Sequence, residues 1–278
     1  MILITTPNGK VGSEVVKQLQ AKGEQVRLGA HTVEKAQKAF PGAEVVHFDF
    51  GNEDSVRSAL RDVDKLYLAS PAEMQAEPVN RVVDLAKEAG VKHIVRLSGM
   101  GVEHHSDSPL RQIEQHIEAS GLAWTFLRPT WFMQNYSMGM ADGIRQGTVM
   151  EPAESAATGF VDARDIAAVG VAALTGDGHA GQAHAITGPE ALTRDQVAAK
   201  ISAAIGKPVR YQAVSAQEFE AGMRGAGAPE GLIGLMGSLY GFVRAGQTAG
   251  LTTDVQQVTG RTPISFDQFA RDHADAWH

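Results

Sequence analysis

The chain contains no cysteine. That excludes disulfides, thiolate nucleophiles and cysteine-held metals. It also points to a reducing compartment, so the expected location is the cytoplasm. A basic excess is missing too: 25 Lys and Arg stand against 32 Asp and Glu, a net charge of -7. A chain of that sign repels phosphate backbones, so no nucleic-acid partner is expected. Long apolar runs are absent. The longest uncharged apolar stretch near the end, GLIGLMGSLYGFV, has 13 residues, short of the roughly 20 that a membrane-spanning helix needs. No basic segment followed by a long apolar run opens the chain, so neither a signal peptide nor a membrane partner is expected. There is no internal repeat and no low-complexity linker. H-E-x-x-H does not occur, and RLSGMG does not match G-x-S-x-G, which leaves zinc-peptidase and serine-hydrolase chemistry without support.

What is present is the balance of a folded protein: 278 residues, 43% hydrophobic and 21% charged. That suffices for one large domain, or for a core domain with a smaller lobe. Up to Pro129, ILIT, QVRLGA, AEVVHFDF, DKLYLAS, VKHIVRLSG and LAWTFLRP read as short strands. SEVVKQLQAKG, VEKAQKAF, EDSVRSAL, PVNRVVDLAKEAG and LRQIEQHIEASG read as the helices between them. Strands separated by helices of this length imply a parallel sheet with right-handed crossovers. After Pro129 the rhythm changes. GFVDARDIAAVGVAALTG ends a strand and begins a helix that Asp162 or Asp165 caps. AHAIT and VRYQAV are strands, and TRDQVAAKISAAIG is a helix capped by Thr193. Two or three helices follow, and SFDQFARDHADAW closes the chain as an amphipathic helix. The expected fold is a Rossmann-type doubly wound parallel α/β sheet. Residues 1–150 form its dinucleotide-binding domain, and residues 151–278 a smaller α/β substrate lobe partly interleaved with the core sheet.

Between the first strand and its helix lies Thr6-Pro7-Asn8-Gly9-Lys10-Val11-Gly12. Gly9 and Gly12 have the spacing of the last two glycines of G-x-x-G-x-x-G, and Thr6 fills the first place. In such a turn the backbone N–H groups and the helix N-terminus face a pyrophosphate, and the glycines permit close approach. Thr6, Asn8, Gly9, Lys10, Val11 and Gly12 are therefore the expected phosphate contacts. A plain strand-to-helix turn is the alternative. The second strand ends in LGAHT, without the acid that usually meets the ribose hydroxyls of NAD. His31, with Lys35 nearby, suits a 2′-phosphate, so NADP is expected ahead of NAD. Asp49 either accepts from the adenine or caps its own turn. Ala69, Ser70 and Pro129, at the ends of strands four and six, complete the expected cofactor set.

The segments ILITTPNGKVG, RQIEQHIEASGLAWTFLRPTWFMQN and FVDARDIA resemble the atypical, NmrA-like short-chain dehydrogenases, near their quinone oxidoreductases, triphenylmethane reductases and ergot-alkaloid-type reductases. The resemblance spans nearly the whole chain. Its most specific part is a basic residue, Glu three later, Ser-Gly, then Thr-x-x-Arg-Pro and an aromatic stretch ending in Asn. It implies NAD(P) in a Rossmann domain and a small-molecule acceptor at the C-terminal lobe. Ordinary members of the wider class use Tyr-x-x-x-Lys with an upstream Ser. Here Ser98 is the Ser counterpart, Arg111 takes the Lys place, and the Tyr place holds Asp107. Arg111 is then expected at the nicotinamide ribose, but an arginine is no proton relay, and a carboxylate accepts a proton rather than donating one. The implied reaction is hydride transfer to an aromatic or quinone-like acceptor that needs no placed acid. The alternatives are a non-catalytic NAD(P)-sensing regulator and an isomerase or lyase with a tightly held cofactor.

RPTWFMQNYSMGM lies just past strand six. Trp131, Phe132, Met133 and Asn135 are the expected acceptor-binding residues, because rings and adaptable Met side chains suit a flat apolar ligand. Ordinary core packing is the alternative. Gly234, Gly237 and Gly241 loosen the apolar helix around GLIGLMGSLYGFV, which reads either as a lid or as a surface or subunit-contact helix. His104, His105 and Asp107 form a loop rim, and no metal is expected. The expected state is a monomer or homodimer.

Overall fold

The computed structural model describes residues 1–71 and 73–278. β1 (Ile2–Thr5) is buried along its whole length, and α1 (Lys10–Ala21) turns Val11, Val15, Val16 and Leu19 inward. That is the spacing of an amphipathic helix against a sheet. β2 (Val26–Ala30), α2 (Val33–Ala39), β3 (Glu44–His47) and α3 (Glu53–Ala59) follow. Asn52 caps α3 by accepting the Ser55 N–H. Next come β4 (Lys65–Leu68), α4 (Ala76–Glu88), β5 (His93–Leu97), α5 (Pro109–Ser120) and β6 (Ala123–Pro129). Pro109 opens α5 where a missing N–H costs nothing, and Gly121 ends it in the left-handed conformation. Two short helices, α6 (Gln134–Ser137) and α7 (Ala141–Arg145), lead to β7 (Thr148–Glu151). Then follow α8 (Ala163–Thr175), β8 (Gln182–Ile186), α9 (Arg194–Ile205) and β9 (Arg210–Ala213). The described elements end with α10 (Ala216–Gly225), α11 (Glu230–Arg244), α12 (Asp254–Thr259), α13 (Phe266–Asp272) and a 3₁₀ turn, Ala274–Trp277. Thr193 caps α9 as its sequence suggests, in a reciprocal box with Gln196. No described helix is long and apolar enough to cross a membrane.

The chain folds into two compact units. The first comprises Met1–Pro129, Ala163–Ile186 and Asp254–Gly260; the second comprises Thr130–Asp162, Thr187–Thr253 and Arg261–His278. The first unit is built on a seven-stranded parallel sheet in the order β3-β2-β1-β4-β5-β6-β8. Strand order reverses between β1 and β4, the switch point at which open α/β sheets bind ligands. On one face α3, α4 and α5 bury Val56, Val79, Val82, Val83, Ile113 and Ile117 against Leu3, Leu66, Leu68, Ile94 and Phe126. Leu127 points to the opposite face, where α8 comes so near that a Cβ on Gly170 would lie 3.0 Å from Leu127 Cδ1. α8 also packs on α1. The doubly wound architecture expected from the alternating pattern is therefore the observed one.

His93 of β5 is buried in this unit. Its Nε2 lies 2.9 Å from Thr125 Oγ1, which itself donates to the His179 carbonyl at 2.7 Å, so the imidazole is the donor. Burial, with the positive potential of Lys65 and His179, lowers its pKa from 6.5 to about 4. Between those values the folded state holds fewer protons than the unfolded chain, so stability falls as the pH is lowered through that window. Thermal denaturation across it should show the slope, and His93→Gln should flatten it.

The second unit has a two-stranded parallel sheet, β7 with β9, and a core of Trp131, Met133, Tyr136, Phe160, Tyr240, Phe266, Phe269 and Trp277. Inside it the fully buried Glu151 accepts from Tyr240 Oη at 2.6 Å, Tyr136 Oη at 2.8 Å and Arg194 Nε at 3.0 Å. Burial and the Glu151 charge push both phenols well above their ordinary pKa. β7 was not expected from the sequence. Thr148–Glu151 is four residues long, and its partner, Arg210–Ala213, is distant in the chain, so local periodicity carries no trace of the pairing. The closing helix is shorter than expected. It stops at Asp272, His273 Nδ1 returns to the Phe269 carbonyl at 3.0 Å, and Trp277 Nε1 donates to the Tyr136 carbonyl at 2.8 Å. The 3₁₀ turn thereby brings Trp277 into the core.

Candidate active site

In the first unit the switch point is tied together by Thr5. Its Oγ1 donates to the Ala69 carbonyl at 2.7 Å and accepts the Ala69 N–H at 2.8 Å, closing the end of β1 against β4. Thr6 then adopts φ +50°, the left-handed region. A β-branched residue enters that region at a cost of about 1–2 kcal/mol. The missing glycine thus leaves the turn its glycine conformation. The Gly9 N–H closes the turn on the Thr6 carbonyl at 2.9 Å. Gly9 is extended at the N-cap of α1, with no side-chain cap and no acidic residue in the first helical turn. A Cβ on Gly12 would lie 2.3 Å from the Thr6 oxygen, and one on Gly9 3.2 Å. Gly12 is therefore what lets the helix N-terminus approach the turn so closely. Burial lowers the pKa of the Lys10 ammonium in this turn.

The other expected cofactor residues follow strand ends at the same edge of the sheet. His31 comes after β2 and His47 ends β3; the rings are 5.7 Å apart, and His47 Nδ1 lies 3.2 Å from the His31 carbonyl. Both side chains are exposed. Asp49 turns its Oδ1 onto the Gly51 N–H at 2.9 Å, so it caps its own turn. Ser70, after β4, accepts from Arg96 Nη2 at 3.0 Å. Ser98, after β5, donates its N–H to Leu127 at 2.8 Å, and its buried Oγ has no hydrogen-bond partner among the described residues. The Pro129 carbonyl, at the end of β6, accepts the Met100 N–H at 3.0 Å.

Arg111 lies in the helix layer rather than among these strand ends. Its Nη1 reaches Glu114 at 3.0 Å and Glu118 at 2.9 Å, and its Nη2 reaches Glu118 at 3.2 Å, which raises its pKa. Glu114 is fully buried and holds Arg128 as well, through Nε at 3.0 Å and Nη2 at 2.7 Å. The Arg-x-x-Glu and Arg-Pro parts of the sequence pattern thus form one clamp between α5 and β6. Asp107 is exposed and accepts from Ser106 Oγ at 2.8 Å. Arg96 was missed by sequence reasoning, although an arginine within HIVRL, an otherwise apolar strand, was a signal available there.

Of the expected acceptor-binding residues, all in the second unit, Met133 is fully buried in its core. Trp131 is nearly so, its ring tilted over Tyr240 at 4.9 Å and its Nε1 without a partner among the described residues. Phe132 and Asn135 are half-buried. Phe132 pairs with Val161 in a parallel bridge, and this ties TWFMQN to GFVDARDIA.

The residues at the sheet edge fit a dinucleotide: a glycine cradle at a helix N-terminus, a half-buried Lys and an orphaned Ser hydroxyl. The sequence profile of the NmrA-like family matches residues 1–250. NAD(P)H azoreductase of Xenophilus azovorans is 38% identical over 286 residues, spanning 100% of this chain and 99% of the relative. Among solved structures, the NADPH complex of a quinone oxidoreductase from Escherichia coli superposes with a TM-score of 0.86 at 27% identity, over 98% of this chain and 99% of that one. The NADP(H) complex of triphenylmethane reductase from Citrobacter sp. gives 0.83 at 26% identity, again over 98% and 99%.

Proposed function

Because the chain belongs to the NmrA-like family, we propose that it is an NADPH-dependent reductase of flat aromatic acceptors of the quinone and dye class. The observation that carries this reading is the phosphate turn, in which a left-handed Thr6 and a Cβ-free Gly12 bring backbone N–H groups to the switch point. In this reading Gly9, Lys10 and Gly12, with Asn8 and Val11 beside them, bind the pyrophosphate. His31 lies at the 2′-phosphate, and Ala69, Ser70 and Pro129 border the cofactor. Ser98 Oγ, buried and unpartnered, donates to the nicotinamide half. Acceptor recognition is assigned to Phe132 and Asn135, the half-buried members of the expected set, whereas Met133 and Trp131 are spent on the core of the second unit, the packing alternative for them.

Bound NADPH supplies a hydride. The chain's own contribution is position rather than acid catalysis. The Tyr place holds Asp107, a carboxylate that accepts from Ser106, and the Lys place holds Arg111, which stays protonated and paired with Glu114 and Glu118. This set favours acceptors that take the hydride first and a proton from water afterwards, as a quinone does on its way to the hydroquinone. Arg111 accordingly steadies α5, and its expected place at the ribose has no support in this geometry. The absence of cysteine keeps the cytoplasm as the compartment in this reading, with a monomer or homodimer as the working state.

NADPH oxidation followed at 340 nm tests the proposal. Turnover is expected with a 1,4-naphthoquinone and with an azo dye, and none with a simple aliphatic ketone, whose oxygen needs a proton in step with the hydride. NADPH binding without turnover of any acceptor would replace the reductase by a cofactor-sensing protein.

A further inference from the structure

Arg96 lies on β5, one strand removed from β1 across β4 in a sheet that is covered on both faces. Only 1% of it is exposed. Its Nη1 donates to the Leu68 carbonyl at 3.2 Å and its Nη2 to Ser70 Oγ at 3.0 Å, both at the C-terminal end of β4. Its Nε has no partner among the described residues. Among the described residues no carboxylate touches it. Of the same residues, Tyr67 and Glu114 act on it through space; Tyr67 is a buried, neutral phenol, and Glu114 already holds Arg111 and Arg128 with its two oxygens. Burial pulls the Arg96 pKa down to about 10, which still leaves the group charged at neutral pH. A buried cation without a contacting anion is costly, and folds rarely keep one without use. Two residues further along the same strand end, Ser98 carries a second buried polar atom without a partner.

We infer that Arg96 is a positioning residue for the dinucleotide's phosphates: its guanidinium fixes Ser70 at the end of β4 and supplies, from inside the fold, a positive charge that a bound phosphate group neutralises. The inference rests on the proposed cofactor site. It adds to that site a residue that lies within the sheet rather than in the glycine turn. Lys10 and the N-terminus of α1 meet the phosphates from the turn side. Arg96 acts from the side of β4, which adjoins β1 at the switch point.

The test compares Arg96→Met, Arg96→Lys and Ser70→Ala with the wild type by thermal denaturation without ligand and by calorimetric titration with NADPH and with ADP, which carries two phosphates and no nicotinamide. The expected result is a split. Arg96→Met without ligand melts no lower than the wild type, because an unneutralised buried charge has gone. It also binds both NADPH and ADP about tenfold more weakly, the effect of losing one charged interaction. Arg96→Lys and Ser70→Ala lose part of that affinity. Three results would overturn the inference while leaving the cofactor site standing: Arg96→Met melting lower with unchanged affinities; weaker NADPH binding with unchanged ADP binding; or, should Arg96→Met not fold, wild-type affinities in both Arg96→Lys and Ser70→Ala. Failure of the wild type to bind either nucleotide would overturn the cofactor reading itself, and this inference with it.

Discussion

Gly12→Ala should lower NADPH affinity by at least about a hundredfold, roughly 2.7 kcal/mol. The added Cβ would lie 2.3 Å from the Thr6 oxygen and 3.1 Å from the Thr6 carbonyl carbon. The carbonyl cannot retreat, because it accepts the Gly9 N–H and because the preceding Thr5 is fastened on both sides to Ala69. The first turn of α1 has to move outward instead and take its N–H groups away from the phosphates. Gly9→Ala is the internal comparison. There the Cβ would meet the same oxygen at 3.2 Å, a contact that a few tenths of an ångström relieve, so its loss should be several-fold smaller. Calorimetric titration of the two variants, each with an unchanged circular dichroism spectrum, reads the difference. Wild-type affinity in Gly12→Ala would mean that the glycine turn does not hold the cofactor.

Glu151→Ala should destabilise the protein by about 3–5 kcal/mol, the usual effect of removing one partner from a buried ion pair. Three groups lose their acceptor at once: Arg194, which is fully buried, and the hydroxyls of Tyr136 and Tyr240. Among the described residues Arg194 would keep its hydrogen bonds to Thr158 Oγ1 at 2.6 Å and the Ala156 carbonyl at 3.4 Å, and its place over the Phe160 and Trp131 rings, none of which carries a negative charge. For a chain of this size each kcal/mol shifts the melting temperature by about 2–4 °C, so a fall of roughly 6–20 °C is expected. The double variant Glu151→Leu/Arg194→Met removes both charges and should recover more than half of the loss, since apolar replacements of buried pairs are close to neutral. A single variant that melts within 2 °C of the wild type, about 1 kcal/mol or less, would show that the carboxylate is not what holds this core together.

The two networks differ in how far the sequence announced them. Elements up to Pro129 were legible because each carries its own signal, a four- or five-residue apolar run or a helical stripe, with Gly23, Gly90 or Gly121 ending the helix. The order of the strands then placed Thr6, His31, Asp49, Ala69, Ser70, Ser98 and Pro129 at one edge without further information. What stayed hidden depends on side chains that meet across long separations. Glu151 meets Tyr240 across 89 residues and Arg194 across 43. β7 finds its partner in β9, and nothing local in TVME records that. The Arg-x-x-Glu pattern was visible, but its spacing is equally that of a catalytic helix and of an i,i+3 ion pair. Only the position of Arg128 in β6 decides for the clamp. Arg96 shows the opposite case. Its place within an apolar strand conflicts with the burial of that strand, and the conflict is where the chemistry is expected.

In the proposed reading the edge between β1 and β4 holds NADPH. Calorimetric titration of the purified protein with NADPH, NADH and their oxidised forms tests it most directly. One NADPH is expected to bind per chain with micromolar affinity or better, and NADH, which lacks the phosphate assigned to His31, to bind more weakly. No binding of any of the four nucleotides to the folded protein would contradict it, and would leave the left-handed Thr6 turn as a strand-to-helix connection and nothing more.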